Sequence, residues 1–246
     1  MNLHGHRALI TGAGQGIGRA CAEVFASRGA DLVLLDKNAE TLEEVVKKTG
    51  QLGAEVTSVV LDLTDFEALS KELARVQSRG LVDILVNNAG FDRPGTLSKI
   101  DRQGFESVLA IHLTVPLLLM QCLLPAMRSA GWGRIINVSS IYGLIGAKGE
   151  LAYSTVKAGL IGLTKSVAKE AGLDGVTVNA VLPGLTRTPT IENVMAAPYK
   201  ERIIKDTSLG RMAEPEEIAN VIAFLASDGA SFITAAVIPV SGGWGI

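Results

Sequence analysis

Seven short runs, at residues 7–10, 31–35, 56–61, 84–87, 134–138, 177–181 and 237–240, are apolar at nearly every position rather than at every second one. Such a strand is buried on both faces, and the architecture that covers both faces is a parallel sheet between helices. The segments between the runs agree: helical periodicity recurs at 16–28, 39–49, 66–77, 103–127, 154–170 and 216–227. Strands alternating with helices predict one α/β domain over residues 1–246, built on a doubly wound parallel sheet with helices on both faces. The least regular stretch, 184–210, carries Pro189 and Pro198 and is expected to form a lid over a substrate site.

Composition narrows the partners. Apolar residues make up 48 % of the 246 residues and charged ones 20 %, enough to bury an extended core and too apolar for a disordered chain. A net charge of −2 supports no polyanion-binding face, so nucleic acid is not an expected partner. Residues 108–127 carry no charge and approach membrane-spanning length, but His112, Pro116, Gln121 and Pro125 interrupt them. They read as a core or interface helix, and no membrane is expected. Cys21 and Cys122 form no disulfide framework, the first twelve residues lack a leader profile, and no metal constellation stands out, so a cytoplasmic setting is expected.

The chemistry begins at TGAGQGIG, residues 11–18, directly after the first strand and at the start of a helix. The spacing is GxxxGxG, at Gly12, Gly16 and Gly18, with Gln15 and Ile17 between them; a strict GxGxxG fails because Ile17 takes its last position. Glycines let the backbone turn tightly and approach a pyrophosphate, whose charge meets the N–H groups at the helix start. Asp36 ends the second strand 24 residues after Gly12, where a Rossmann-type fold sets an acid against the adenosine ribose. A carboxylate accepts from both ribose hydroxyls and repels a 2′-phosphate, which selects NAD over NADP, although Lys37 is its neighbour. The plainer reading of Asp36 is a helix cap or a solvated acid.

Tyr153 and Lys157, four apart, share a helical face, so the ammonium can lie near the phenol. A phenol with its pKa near ~10 is a poor acid or base at neutral pH, and an adjacent cation is expected to lower that value. Ser140 is placed to hold a substrate oxygen.

Together these residues resemble the short-chain dehydrogenase/reductase family. The likeness runs through TGAGQGIG, Asp36, LDLT at 61–64, NNAG at 87–90, INVSS at 136–140, YSTVK at 153–157, PG at 183–184 and ITAAVIPVSGGW at 233–244. It implies that Tyr153 is the general acid or base, that Lys157 lowers its pKa and holds the nicotinamide ribose, and that Ser140 positions the carbonyl. It also implies adenine contacts from Asp62 and Leu63, nicotinamide-side contacts from Asn88, Ala89 and Gly90, contacts from Pro183, Gly184 and Thr188, and a homotetramer. Asn88 reads equally as a brace between central strands. His112 stands where the family usually has a proton-relaying Asn. It is expected either to serve that relay, titrating near neutral pH, or to brace its helix.

The implied activity is NAD(H)-dependent interconversion of a secondary alcohol and its ketone. Members that reduce 3-oxoacyl carrier proteins are also similar and typically dock an acidic carrier on basic residues; Gly131 and Asp174 fall near those places, with Arg128 and Arg134 close by. Asp92, Tyr142 and Glu150 are candidate substrate residues, suited to a polyol, a sugar or a cyclic or aliphatic alcohol, and each carboxylate reads equally as solvated. Reduction of a 3-oxoacyl thioester is the alternative, and a non-catalytic dinucleotide-binding regulator the alternative of another class. His4 and His6 read as a solvated N-terminus, and Trp132 and Trp244 as packing residues.

Overall fold

The computed structural model describes residues 1–246, with every side chain except that of Val194. Seven strands, β1 (Arg7–Thr11), β2 (Asp31–Asp36), β3 (Val56–Val60), β4 (Ile84–Asn87), β5 (Gly133–Val138), β6 (Val176–Pro183) and β7 (Val237–Val240), form one sheet in the order 3-2-1-4-5-6-7. Every neighbouring pair is parallel. The seven expected runs are these strands.

Why the strands are apolar at successive positions is visible in the packing. Ala8 and Ile10 join one core with Phe25, Leu32, Leu34 and Ile222, while Leu9 joins the other with Val33, Leu85, Ile135 and Leu119. Adjacent residues therefore feed opposite layers. Each fully buried Leu, Ile or Phe contributes roughly 1.5–3 kcal/mol of transfer free energy.

The helices are α1 (Gly16–Ser27), α2 (Ala39–Gln51), α3 (Phe66–Gln77), α4 (Arg102–Leu109), α5 (Val115–Ala130), α6 (Tyr142–Ile145), α7 (Leu151–Ala171), α8 (Pro189–Val194), α9 (Ala197–Asp206) and α10 (Pro215–Leu225). Two expectations change. The helix read over 103–127 is α4 and α5 joined through a π-helical turn, Ala110–Thr114, closed by a bond from the Val115 N–H to the Ala110 carbonyl. Pro116 explains the interruption, since it has no N–H to return to the carbonyl four residues back. The run Arg102–Ala130 is long and apolar enough to cross a membrane by length and composition, yet Leu119, Met120, Leu123 and Met127 pack into the sheet's second core.

The second change is the expected lid at 184–210, which is mostly helical, in α8 and α9. Leu185 and Ile203 anchor it against Met212 and Trp244. His6 is also not simply solvated: its Nδ1 lies 2.7 Å from Asp83 Oδ2 and its ring stacks on Trp132 at 3.9 Å.

Candidate active site

The strand order runs outward from β1 in both directions, to β2 on one side and β4 on the other, which opens a crevice beyond their carboxyl ends. The glycine turn lies there. Gly12 has φ +65°, a conformation that favours glycine. An added Cβ on Gly18 would run into the Gly12 carbonyl and lie 2.6 Å from Asn88 Nδ2, so α1 packs against the glycine turn and Asn88 only without a side chain at that point. Gln15 is the N-cap residue of α1 but makes no side-chain cap, and the first turn holds no acid. The leading N–H groups of α1 are left for an anion. Ile17 is half-buried against the first core.

Around that turn the structure gathers most of the expected contacts. Asp36 Oδ2 accepts from the Gly14 N–H at 2.8 Å and Oδ1 from the Asn38 N–H at 2.9 Å. Asn38, not Asp36, caps α2, so the carboxylate stands at the lip of the glycine turn with lone pairs unused. A Cβ on Gly16 would come within 3.1 Å of the Thr188 methyl, which puts the start of α8 over the turn. Thr188 Oγ1 also caps α8. Asp62 accepts from the Thr64 hydroxyl at 2.7 Å and the Thr64 N–H at 2.9 Å, which hold its carboxyl below the usual range. The Leu63 side chain is buried in the second core, which leaves its backbone for the expected contact.

The end of β4 is tied to β1 by bonds that sequence reasoning missed. Thr11 Oγ1 accepts from the N–H groups of Asn88 and Ala89, both at 3.0 Å, and donates to the Val86 carbonyl at 3.3 Å. Asn88 Nδ2 donates to the carbonyls of Thr11, at 2.9 Å, and Gly12, at 3.2 Å. The Asn88 side chain is thus a brace, the second of its two readings. A buried chain also runs from Asn87 Nδ2 to Asn137 Oδ1 at 2.7 Å and from Asn137 Nδ2 to Thr164 Oγ1 at 2.9 Å, joining β4, β5 and α7. On the other side, Pro183 O accepts from the Ile141 N–H at 3.1 Å, and the Gly184 N–H donates to Val240 O at 3.0 Å.

Ser140, Tyr153 and Lys157 converge beyond β5. Helix α7 begins before the expected 154, at Leu151, so Tyr153 lies in its first turn and Lys157 one turn on. Ser140 is buried, accepts from the Tyr142 N–H at 3.2 Å and favours ionisation of the Tyr153 phenol. Lys157 Nζ donates to the Val138 carbonyl at 2.6 Å and lies 5.4 Å from the Tyr153 ring centroid. Burial lowers Lys157 to about 7. The expected lowering of Tyr153 is reversed: burial first, then the carboxyl of Asp92, push the phenol above its ordinary value and keep it protonated. In this form the site holds an acid ready to donate.

His112 sits in the π turn, 3 % exposed, edge-on to Tyr153 with centroids 5.4 Å apart. Its Nε2–H donates to the Phe91 carbonyl at 2.8 Å, while Nδ1 is closed off without a partner among the described residues. Burial and then the Lys157 charge lower it to about 3. The expected titration near neutral pH is therefore overturned: desolvation outweighs the bond to Phe91, and the ring stays neutral. It occupies the space beside Gly90, where a Cβ would collide with it.

The mouth carries the candidate substrate residues. Tyr142 meets Tyr199 of α9 through their hydroxyls at 2.7 Å and packs edge-on against Trp244 with centroids 5.3 Å apart; sequence gave no signal for Tyr199. Glu150, just ahead of α7, is pushed up to about 8 by burial and by contact with Asp92, which is exposed.

A glycine cradle with free helix N–H groups, an acid at the ribose position and a Ser-Tyr-Lys cluster, its Ser140 and Lys157 buried and its Tyr153 partly so, fit a nicotinamide dinucleotide and define an oxidoreductase site. The family described as "Enoyl-(Acyl carrier protein) reductase" matches residues 12–245. A 3-oxoacyl-[acyl-carrier-protein] reductase of Thermotoga maritima is 38 % identical over 244 residues, covering 99 % of each chain. Among solved structures, levodione reductase superposes with a TM-score of 0.93 at 34 % identity, covering 98 % of both chains. A 3-oxoacyl-[acyl-carrier protein] reductase from Brucella melitensis gives 0.93 at 30 %, covering 100 % of this chain and 93 % of that one. The chain belongs to the short-chain dehydrogenase/reductase family.

Proposed function

We propose that the protein interconverts a secondary alcohol and its ketone with NAD(H). The observation that carries this reading is the Tyr153 phenol, held in the first turn of α7 with the buried Ser140 and Lys157 beside it. Bound there, the nicotinamide gives or takes the hydride. Tyr153 gives its proton to the carbonyl oxygen in reduction and takes it back in oxidation, with Ser140 orienting that oxygen. Lys157, with two ammonium hydrogens beyond the one on Val138, can hold ribose hydroxyls and stabilise a transient phenolate. Asp36 supports NAD over NADP, because a 2′-phosphate would meet a carboxylate at the lip of the turn.

A second reading, reduction of a 3-oxoacyl thioester, is supported by the names of several relatives. Against docking of an acidic carrier, Arg128 is paired with Asp174 at 3.1 Å and Arg134 is buried. A homotetramer belongs to the same reading, supported by the half-exposed apolar edge strand β7; sedimentation as a monomer would overturn it. A spectrophotometric panel of alcohols, ketones and 3-oxoacyl thioesters, run with NAD(H) and NADP(H), tests the proposal. Preference for 3-oxoacyl thioesters would favour the second reading, and no turnover of any of them would sink both.

A further inference from the structure

The lid meets the catalytic loop through two phenols. Tyr142 begins α6, and its N–H donates to Ser140 Oγ at 3.2 Å, so its backbone stands against the serine that orients the reacting oxygen. Its side chain reaches Tyr199, in the first turn of α9, hydroxyl to hydroxyl at 2.7 Å. Trp244, edge-on to Tyr142 at an interplanar angle of 74°, packs with Leu185, Ile203 and Met212 in the cluster that anchors the lid. Gly245 follows closely against α6: an added Cβ there would lie 2.8 Å from Ile141 Cγ1 and 3.2 Å from Ile145 Cδ1. Three segments distant in the chain, α6, α9 and the C-terminal turn, thus form one wall of the crevice.

A pair of hydroxyls has a fixed hydrogen count. Each phenol carries one O–H, and the bond between them uses one of the two hydrogens. Neither hydroxyl has another partner among the described residues, so one donor is left over. Burial and the bond to Tyr199 push Tyr142 above its ordinary value, so it keeps its hydrogen at neutral pH. No free cation stands next to the pair on α9 to draw in an anion, because Lys200, which follows Tyr199 in the chain, is paired with Glu192 at 3.4 Å. The rest of the wall is apolar. Tyr142 and Trp244 form a corner of two aromatic planes, and Leu144 and Ile145 of α6 are half exposed. A compact ring fills such a corner better than an extended chain, and covering these side chains removes apolar surface from water.

We propose that the Tyr142–Tyr199 hydroxyl pair donates its unspent hydrogen to a second, uncharged oxygen of the substrate, which makes that substrate a ketone on an apolar ring bearing a further acceptor oxygen. This rests on the alcohol–ketone reading and names its substrate class. The two oxygens are read by different groups, the reacting one by Ser140 and Tyr153 and the remote one by the pair. Tyr142 ties the two, since its backbone bonds Ser140 and its hydroxyl bonds the lid.

The test compares kcat/KM for 3- and 4-methoxycyclohexanone and cyclohexane-1,4-dione with that for cyclohexanone, using NADH, in the wild type and in the double variant Tyr142→Phe, Tyr199→Phe. Both phenols are changed because either one left alone still carries a donor. In the wild type at least one ring with a second oxygen should be favoured about fivefold over cyclohexanone. That preference should vanish in the double variant, chiefly through KM, as one neutral hydrogen bond is lost. If the pair only holds the lid, all the ketones will lose equally and the ratio will stand, which overturns the proposal. A wild type preferring 4-oxocyclohexanecarboxylate or dihydroxyacetone to every uncharged ring also overturns it, while leaving the alcohol–ketone reading intact. With NAD in place of NADH the dione cannot be reduced, and thermal shift supplies a readout without turnover. Stabilisation of the wild type by the dione beyond that by cyclohexanone, absent from the double variant, supports the pair as an oxygen site. The same stabilisation with no ketone reduced by NADH supports the pair and counts against the alcohol–ketone reading alone. The absence of both the preference and the stabilisation overturns the proposal.

Discussion

Replacing His112 by leucine separates two contributions of one buried ring. The leucine removes the Nε2–H donor and leaves the Phe91 carbonyl without its 2.8 Å partner. A stranded buried acceptor costs about 1–3 kcal/mol, partly offset because the partnerless Nδ1 disappears too, so the net loss at pH 7 should be about 1–2 kcal/mol. The pH dependence has the opposite sign. Histidine titrates near 6.5 when unfolded and at about 3 in the fold, so between those values the unfolded chain binds more protons. Stability from neutral His112 is therefore present above the unfolded value and is lost as pH falls, by up to about 1.4 kcal/mol per unit. From pH 7 to pH 5 the wild type should lose about 2 kcal/mol that the leucine variant does not lose. Urea unfolding at both pH values and fixed protein concentration should show the variant less stable at pH 7 and equal or more stable at pH 5. A difference that does not change between the two would refute the burial argument, since the ring would then titrate alike folded and unfolded.

Tyr153→Phe should lower turnover by roughly 100-fold or more, the usual contribution of general acid–base catalysis, with NADH binding retained in a fluorescence titration. Near-normal turnover would remove Tyr153 from the chemistry. Wild type should favour NAD over NADP at least tenfold in kcat/KM, about 1.4 kcal/mol, and Asp36→Ala should shrink that preference. Equal efficiency with both cofactors in the wild type would contradict the role of Asp36. Thr11→Val keeps the shape but strands the Asn88 and Ala89 N–H groups, so it should cost roughly 2–4 kcal/mol in chemical denaturation and raise KM for NAD. An unchanged unfolding midpoint would show that these bonds do not hold the crevice together.

What the sequence revealed and what it hid divide along local and distant effects. The doubly wound sheet was legible because Leu9 and Ile10, like Val33 and Leu34, must each feed a different layer, and that demand is written in consecutive residues. The glycine spacing and the Tyr153–Lys157 pair were legible for the same reason. Thr11 and Asn88 were not, because a bond between residues 77 apart leaves no local pattern. The direction of the Tyr153 shift was misread because a neighbouring lysine shows in sequence while burial does not. The interruption at Pro116 was visible, but not its outcome as a wide turn rather than a break.

A regular α-helix advances each side chain by ~100°, so one extra residue in a wide turn resets the angular phase of everything after it. The turn at Ala110–Thr114 thus uncouples α4 from α5. Val108 is buried in the small cluster with Val156 of α7, Leu119 to Met127 keep theirs on the sheet, and His112 between them is aimed at Tyr153. Shortening the turn by one residue would force a choice, since a continuous helix could satisfy the core beneath α5 or the ring beside the phenol but not both. Phase, rather than the identity of any one side chain, makes this segment intolerant of deletion while leaving its exposed positions free to vary.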